Sequence, residues 1–147
     1  MRRMDGTDRI DGIGERYRDG DTEERIRVLD ELNGLAAAAA VDEPLRDTGI
    51  GLVRDALRAN DPRLVGAAMG AFAGRHLPDH DWRHGVVKLV FMGVPLAIVA
   101  GLDDRKDAEL ARMAEDLAEE REAAGRPVPD DLRSLLPAAD APRQEGR

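Results

Sequence analysis

Every histidine of this chain falls in one short stretch, HLPDHDWRHG, as His76, His80 and His84, four residues apart, with Asp79 and Asp81 between them. Groups at i and i+4 share one helix face, and imidazole with carboxylate is a common metal-ligand set, so the spacing raises zinc-type coordination. Pro78 counts against it. A proline between His76 and His80 interrupts the helix, so the three rings cannot line one continuous face. His84 also has a cation, Lys88, one turn on. No metal and no cofactor is expected.

The second chemical candidate is Lys88 itself. The chain uses arginine twenty times and lysine twice, yet Lys88 lies inside the most apolar segment, where an unpaired ammonium is costly. Asp81, His84 and Lys88 follow one another at i, i+3 and i+7, which makes a single polar stripe on an otherwise apolar helix. Two readings follow. In the structural one, Lys88 pairs with a carboxylate of a neighbouring helix and Asp81 caps the helix start. In the functional one, Lys88 is a lysine of lowered pKa or builds an anion pocket with His84 and Arg83. Trp82, the one tryptophan, reads as a core or helix-start anchor, and alternatively as a platform for a ligand. No Gly-rich phosphate loop, G-x-S-x-G elbow, H-E-x-x-H or cysteine is present, so nothing in the motifs announces catalysis.

The elements that hold these groups read as helices throughout. The sequence has 147 residues, 42% of them apolar, with only Tyr17, Phe72, Trp82 and Phe91 as aromatics, so one domain with an aliphatic core is expected. Asp21 followed by Glu24 opens a helix to about Val41, with Ile26, Leu29, Leu32 or Asn33, and Ala36 on its stripe. Asp42 and Pro44 open a second, with a kink at Gly49 and Gly51. Asn60 is the expected cap of a third, Pro62 its N1 residue, and Leu64, Val65, Ala68, Met69 and Phe72 its buried face. Pro78 and Asp79 restart the chain, and Gly93 and Pro95 break it before a short apolar helix over 94 to 100. The last long helix runs from 107 to 124, with Leu110, Met113, Ala114, Leu117 and Ala124 inward and Gly125 after its end. A stub from Pro129 to Leu136 closes the set. No stretch alternates with period two.

The fold expected is all-α: a single small bundle, or a short right-handed array, of about six helices around an apolar central hairpin. That hairpin is the run GVVKLVFMGVPLAIVAGL, 85 to 102, which approaches membrane length but holds Lys88, a central break and acidic flanks, and so reads as core and not as a transmembrane span. The folded domain is expected over 21 to 136, between mobile tails at 1 to 20 and 137 to 147, whose Gly, Asp, Arg and Pro composition offers little to bury. A net charge of −8 excludes nucleic acid as a main partner. The absence of cysteine and of an apolar region behind Arg2 and Arg3 fits a cytoplasmic protein without a secretory signal.

One segment, DWRHGVVKLVFMGVPLAIVAGLDDRKDAELARMAEDLAEEREAAGRPVP (81 to 129), is similar to a known family. The residues that carry the likeness are Trp82, Val87 and Lys88 ahead of Phe91, Gly93 to Leu96, Gly101 to Asp103, Ala108 to Met113 and Ala124 to Arg126. DPRLVGAAMG, 61 to 70, fits as well, while the first sixty residues do not align. The segment resembles the EboA family. The resemblance implies a small helical protein encoded beside a UbiA-like membrane prenyltransferase, a sugar-phosphate cyclase, an isomerase-like protein and a TatD-like hydrolase, in clusters for specialised-metabolite formation or trafficking. It further implies an accessory role, binding a metabolite intermediate or docking onto a partner enzyme, with Asp81, Trp82, Arg83, His84, Lys88 and Phe91 as the candidate residues; a third option is that the acidic outer face of 107 to 124 serves peripheral association with the membrane partner. The alternative is a small enzyme of a cyclitol or prenyl-metabolite pathway that uses Lys88 and His84 in acid–base chemistry. An exposed pocket converging on Lys88 favours the binder or the enzyme; a fully paired Lys88 beneath a flat apolar patch favours docking.

Overall fold

A computed structural model describes the backbone of residues 6–137 and the side chains of residues 12–137. The described residues are helical without a strand: α1 Gly6–Asp19, α2 Thr22–Ala37, α3 Glu43–Ala56, α4 Pro62–Ala68, α5 Ala71–His76, α6 Asp79–Met92, α7 Leu102–Arg105, α8 Ala108–Ala123 and α9 Asp130–Leu135, with a single 3₁₀ turn at Leu96–Ile98. They fall into two compact units, one ending at Arg105 and one beginning at Lys106.

The chain starts four of its helices with the same device. The carboxylates of Asp21, Asp42, Asp61 and Asp107 accept the backbone N–H of Glu24, Leu45, Arg63 and Leu110 at 2.9–3.0 Å, satisfying donors that have no partner inside the helix. An anion there also faces the positive end of the helix dipole. The cap of α4 is Asp61 and not Asn60, because with Pro62 at N1 it is the residue immediately before the helix whose side chain reaches the second amide. Helix α2 ends at Ala37, short of Val41: Ala39 adopts φ 56°, and Ala39 and Ala40 close the end by donating to Ala36 O and Leu35 O. Gly93, at φ 79°, ends α6 in the same way, Val94 N reaching Leu89 O at 2.9 Å.

In the first unit, α1 packs on α2 and α3, α2 on α4 and α5, α3 on α4 and α5, and α6 on α4. Val28, Leu29, Leu32 and Ala36 form the buried stripe of α2, Ile26 standing at its margin, and Leu64, Val65, Ala68, Met69 and Phe72 are all buried as the pattern requires. Asn33 bridges two elements, donating to Ala67 O and accepting from Phe72 N, both at 2.9 Å. Gly49 does not serve a kink: it lies inside α3, and the ring of Phe72 occupies the place where a β-carbon would stand.

Three expectations are corrected here. The segment 1 to 20 is not a tail over its described part, since α1 reaches Asp19 and Ile13 and Tyr17 are buried in the core. Arg16 also pairs with Glu24 and Glu31 of α2 at 2.9 and 3.0 Å. The sequence carries the signal, Ile13 and Tyr17 being one turn apart, but glycine and charge around them mask it. Second, the single domain from 21 to 136 crosses the division at Arg105. Residues 1–5 and 138–147, which include nearly all of the tail expected from 137 onward, lie outside the described residues. Third, no helical hairpin forms over 85 to 102. Pro95 has no N–H to continue a helix, so only the 3₁₀ turn follows α6, and Phe91 and Ile98 stand 63% and 45% exposed. No helix among the described residues is long and apolar enough to cross a membrane.

The second unit pairs α8 with α9. Leu110, Ala114, Leu117, Ala118, Leu132 and Leu135 are buried, whereas Met113 is half-buried and Ala124 exposed. The outer face of α8 is solvated and laced by Arg112, which reaches Glu109 at 2.6 Å and Asp116 at 3.1 Å. Gly125 closes α8 at φ 72°.

Candidate functional site

Helix α6 carries most of the chemistry-bearing residues, and the structure gives Asp81, Trp82, His84 and Lys88 separate partners. Asp81 accepts from Nε of Arg54 on α3 at 2.9 Å, with Nη2 of the same ion pair also at 2.9 Å, so it is a clasp between helices and not the cap of α6, whose N-cap Pro78 makes no side-chain bond. Two turns on, half-buried Lys88 donates from Nζ to Leu57 O at 2.5 Å. Leu57 is the C-cap residue of α3. The ammonium therefore sits at the negative end of that helix, where a cation satisfies a carbonyl left open by the helix end. The expected carboxylate partner is replaced by a main-chain oxygen.

The polar stripe is thus a seam that ties α6 to the C-terminal half of α3, through Asp81 above and Lys88 below. His84 does not join it. Its ring is exposed and stacks on His80, centroids 4.4 Å apart and tilted by 57°. No group of three or more histidine, aspartate or glutamate side chains among the described residues is placed to hold a metal ion. Arg83 is half-buried beside this seam in the sequence, and Phe91, at the far end of α6, points its ring to solvent.

Trp82 is anchored by a residue the sequence reading passed over. The indole is 1% exposed, and the Arg105 guanidinium stands over it, 4.9 Å from the ring centroid. The same guanidinium donates to Ala73 O, Gly74 O and Leu77 O at 2.9, 3.3 and 2.7 Å, and to Asp79 Oδ1 at 2.7 Å. One planar fork thereby holds the end of α5, the Leu77–Pro78 turn and the start of α6. A residue that binds three carbonyls has no spacing signature.

His76 ends α5 against Phe72, ring centroids 5.1 Å apart. Burial first, then the charges of Arg46 and Arg75, hold its pKa below the ordinary histidine value. The unfolded chain therefore binds more protons than the folded one between the lowered pKa and the usual ~6.5, and stability rises with pH across that window. Urea unfolding at steps from pH 5 to pH 7.5 should show stability lost as the pH falls below the ordinary histidine range. His76→Gln should flatten that slope, and an unchanged slope would exclude His76 as its source.

Two surface features complete the set. Beside the exposed turn after α6 lies an apolar groove of about 420 Å³, walled by Ile26, Pro62, Gly66, Ala67, Val94 and Ile98, with Asp30 and Arg63 also lining it. Gly66 gives the Ile98 side chain its place, since a β-carbon there would stand 3.0 Å from Cδ1. A second, more polar cavity lies where Tyr17 of α1, Arg25 of α2 and Asp55 of α3 converge. Neither includes Lys88 or His84.

A family model described as metabolite traffic protein EboA matches residues 55–137, more than half of the chain. The matched span takes in Leu57, Trp82, Lys88, Phe91 and Arg105, and it begins after Tyr17 and Arg25. No curated protein matches the chain, and no solved structure does. With that match covering more than half of its length, the chain belongs to the EboA family, whose description is metabolite traffic.

Proposed function

We propose that this protein is a non-catalytic accessory factor of metabolite traffic that docks onto a partner protein through the apolar face formed by Phe91, Val94, Pro95 and Ile98 and the adjoining groove. One observation carries the reading: although Val86, Leu89, Leu96 and Val99 are buried, the most apolar part of the sequence leaves Phe91 63% and Ile98 45% exposed, and Val94 and Ile98 wall an apolar groove. An exposed phenylalanine together with an apolar groove suits a partner's side chains, and the charges of Asp30 and Arg63, which line the groove, give such a contact its orientation. The occupant is a protein and not an anionic bilayer, which a chain of net charge −8 would repel. The partners the family resemblance implies are the cluster's UbiA-like prenyltransferase, cyclase and isomerase-like protein.

Lys88 supports the reading from the other side. Its bond to Leu57 O gives it a structural employment at the end of α3, and His84 is turned toward His80. Lys88→Met is the test. Loss of a charge-assisted bond to a helix end costs about 1–2 kcal/mol, or roughly 4–8 °C in melting temperature for a domain of this size. On the docking reading, complex formation and metabolite output in cells carrying the cluster persist in step with the folded fraction. Output that disappears while the melting temperature holds would return the chemistry to Lys88 and sink the reading.

A further inference from the structure

We infer that the cavity between α1, α2 and α3 binds a small polyhydroxylated anion, such as a phosphorylated or carboxylated sugar. The cavity measures about 470 Å³, the size of a small-metabolite site, and Tyr17, Arg18, Arg25, Asp47, Asp55 and Arg58 line it. It shares no residue with the apolar groove.

Its centre is an unsatisfied group. Tyr17 is 1% exposed, and its hydroxyl, set beside the Asp55 carboxylate, makes no hydrogen bond of good geometry, which a folded chain rarely tolerates without a use. Burial first, and then the Asp55 carboxylate beside it, push its ionisation upward, so it stays a neutral O–H donor. Arg25 is already locked: Nε donates to Tyr17 O at 2.9 Å, Nη2 to Arg18 O at 3.3 Å, and the guanidinium lies 5.0 Å from the centroid of the Tyr17 ring. With Nε and Nη2 engaged on those carbonyls, the guanidinium is fixed in place and offers Nη1 as the donor for a ligand oxygen.

The two carboxylates narrow the class. Asp47 and Asp55 repel a bare anion but accept from hydroxyl groups, as Thr48 can on the same wall, so a ligand with its charge toward the arginines and hydroxyls toward the aspartates fits where inorganic phosphate does not. The Asp55–Arg58 pair beside the tyrosine is a 3.5 Å surface contact with exposed side chains, and parting it to admit a ligand oxygen costs little.

Tyr17 is the only tyrosine, so ¹³C-tyrosine labelling gives one reporter for the whole chain. Glucose 6-phosphate and gluconate are titrated against it, with glucose and inorganic phosphate alone as controls. The inference expects a saturable shift with at least one of the two probes and binding at least tenfold weaker for both controls. By calorimetry, Tyr17→Phe and Arg58→Gln should each weaken that probe about tenfold, the loss of one hydrogen bond to a charged or strongly polar group. Tyr17→Phe should keep or raise the melting temperature, because it removes only an unpaired hydroxyl. No saturable shift with either probe, equal binding of inorganic phosphate, or unchanged affinity in both variants would overturn the assignment.

Discussion

Replacing Arg105 with alanine is expected to destabilise the unit that ends there by about 3 kcal/mol. The side chain is 17% exposed and donates to three carbonyls and one carboxylate while covering the Trp82 ring. Hydrogen bonds from a charged donor contribute about 1.5–3 kcal/mol each, and a partly desolvated cation over an indole about 1–2 kcal/mol, but bonds from one guanidinium are not additive. The larger part of the loss comes from leaving Ala73, Gly74 and Leu77 carbonyls under-satisfied at a packed turn. Arg105→Lys should recover less than half, since an ammonium is a point donor and cannot span three acceptors or stack on the ring. Trp82 is the only tryptophan, so its fluorescence during urea unfolding reads the change directly. A loss below about 1 kcal/mol in Arg105→Ala would mean that the packing of Trp82 alone holds the start of α6.

The second large effect concerns the apolar face. Phe91→Glu combined with Ile98→Glu is expected to weaken partner binding at least 100-fold while leaving the melting temperature within about 2 °C. Both residues are exposed, so substitution removes little intramolecular burial, and surface changes away from such burial stay within about 0.5 kcal/mol. In a complex the same positions would bury two carboxylates without partners against apolar surface. The loss of an aromatic anchor and that desolvation together exceed about 3 kcal/mol, which is more than a hundredfold in affinity.

Much of the local architecture was legible because it rests on chemistry within a few residues. Asp21, Asp42, Pro62, Gly93 and Gly125 mark helix ends by rules of capping and backbone freedom that need no tertiary information. The helical class and the family followed from the same stretches. What could not be read were long-range contacts to the main chain. Lys88 was rightly singled out as a cation that needs a partner, but its acceptor is the carbonyl of Leu57, 31 residues away, and a carbonyl looks the same at every position. Arg105 was missed for that reason. Ile13 and Tyr17 were missed for another: two buried residues one turn apart sit among glycines and charges, and composition outweighed spacing. The run from 85 to 102 shows the converse error, since hydropathy read it as core, while the Gly93 and Pro95 break turns part of it outward.

On the docking reading, Phe91 and Ile98, and not Lys88, connect this protein to its pathway. The most direct measurement is a pairwise titration of the purified chain against the cluster's prenyltransferase in nanodiscs, its cyclase and its isomerase-like protein, using wild type, Lys88→Met and the Phe91→Glu, Ile98→Glu double variant. Saturable binding to at least one of them is expected, retained in Lys88→Met and weakened at least 100-fold in the double variant at unchanged melting temperature. Binding by the double variant equal to wild type, or no binding to any of the three, would contradict it.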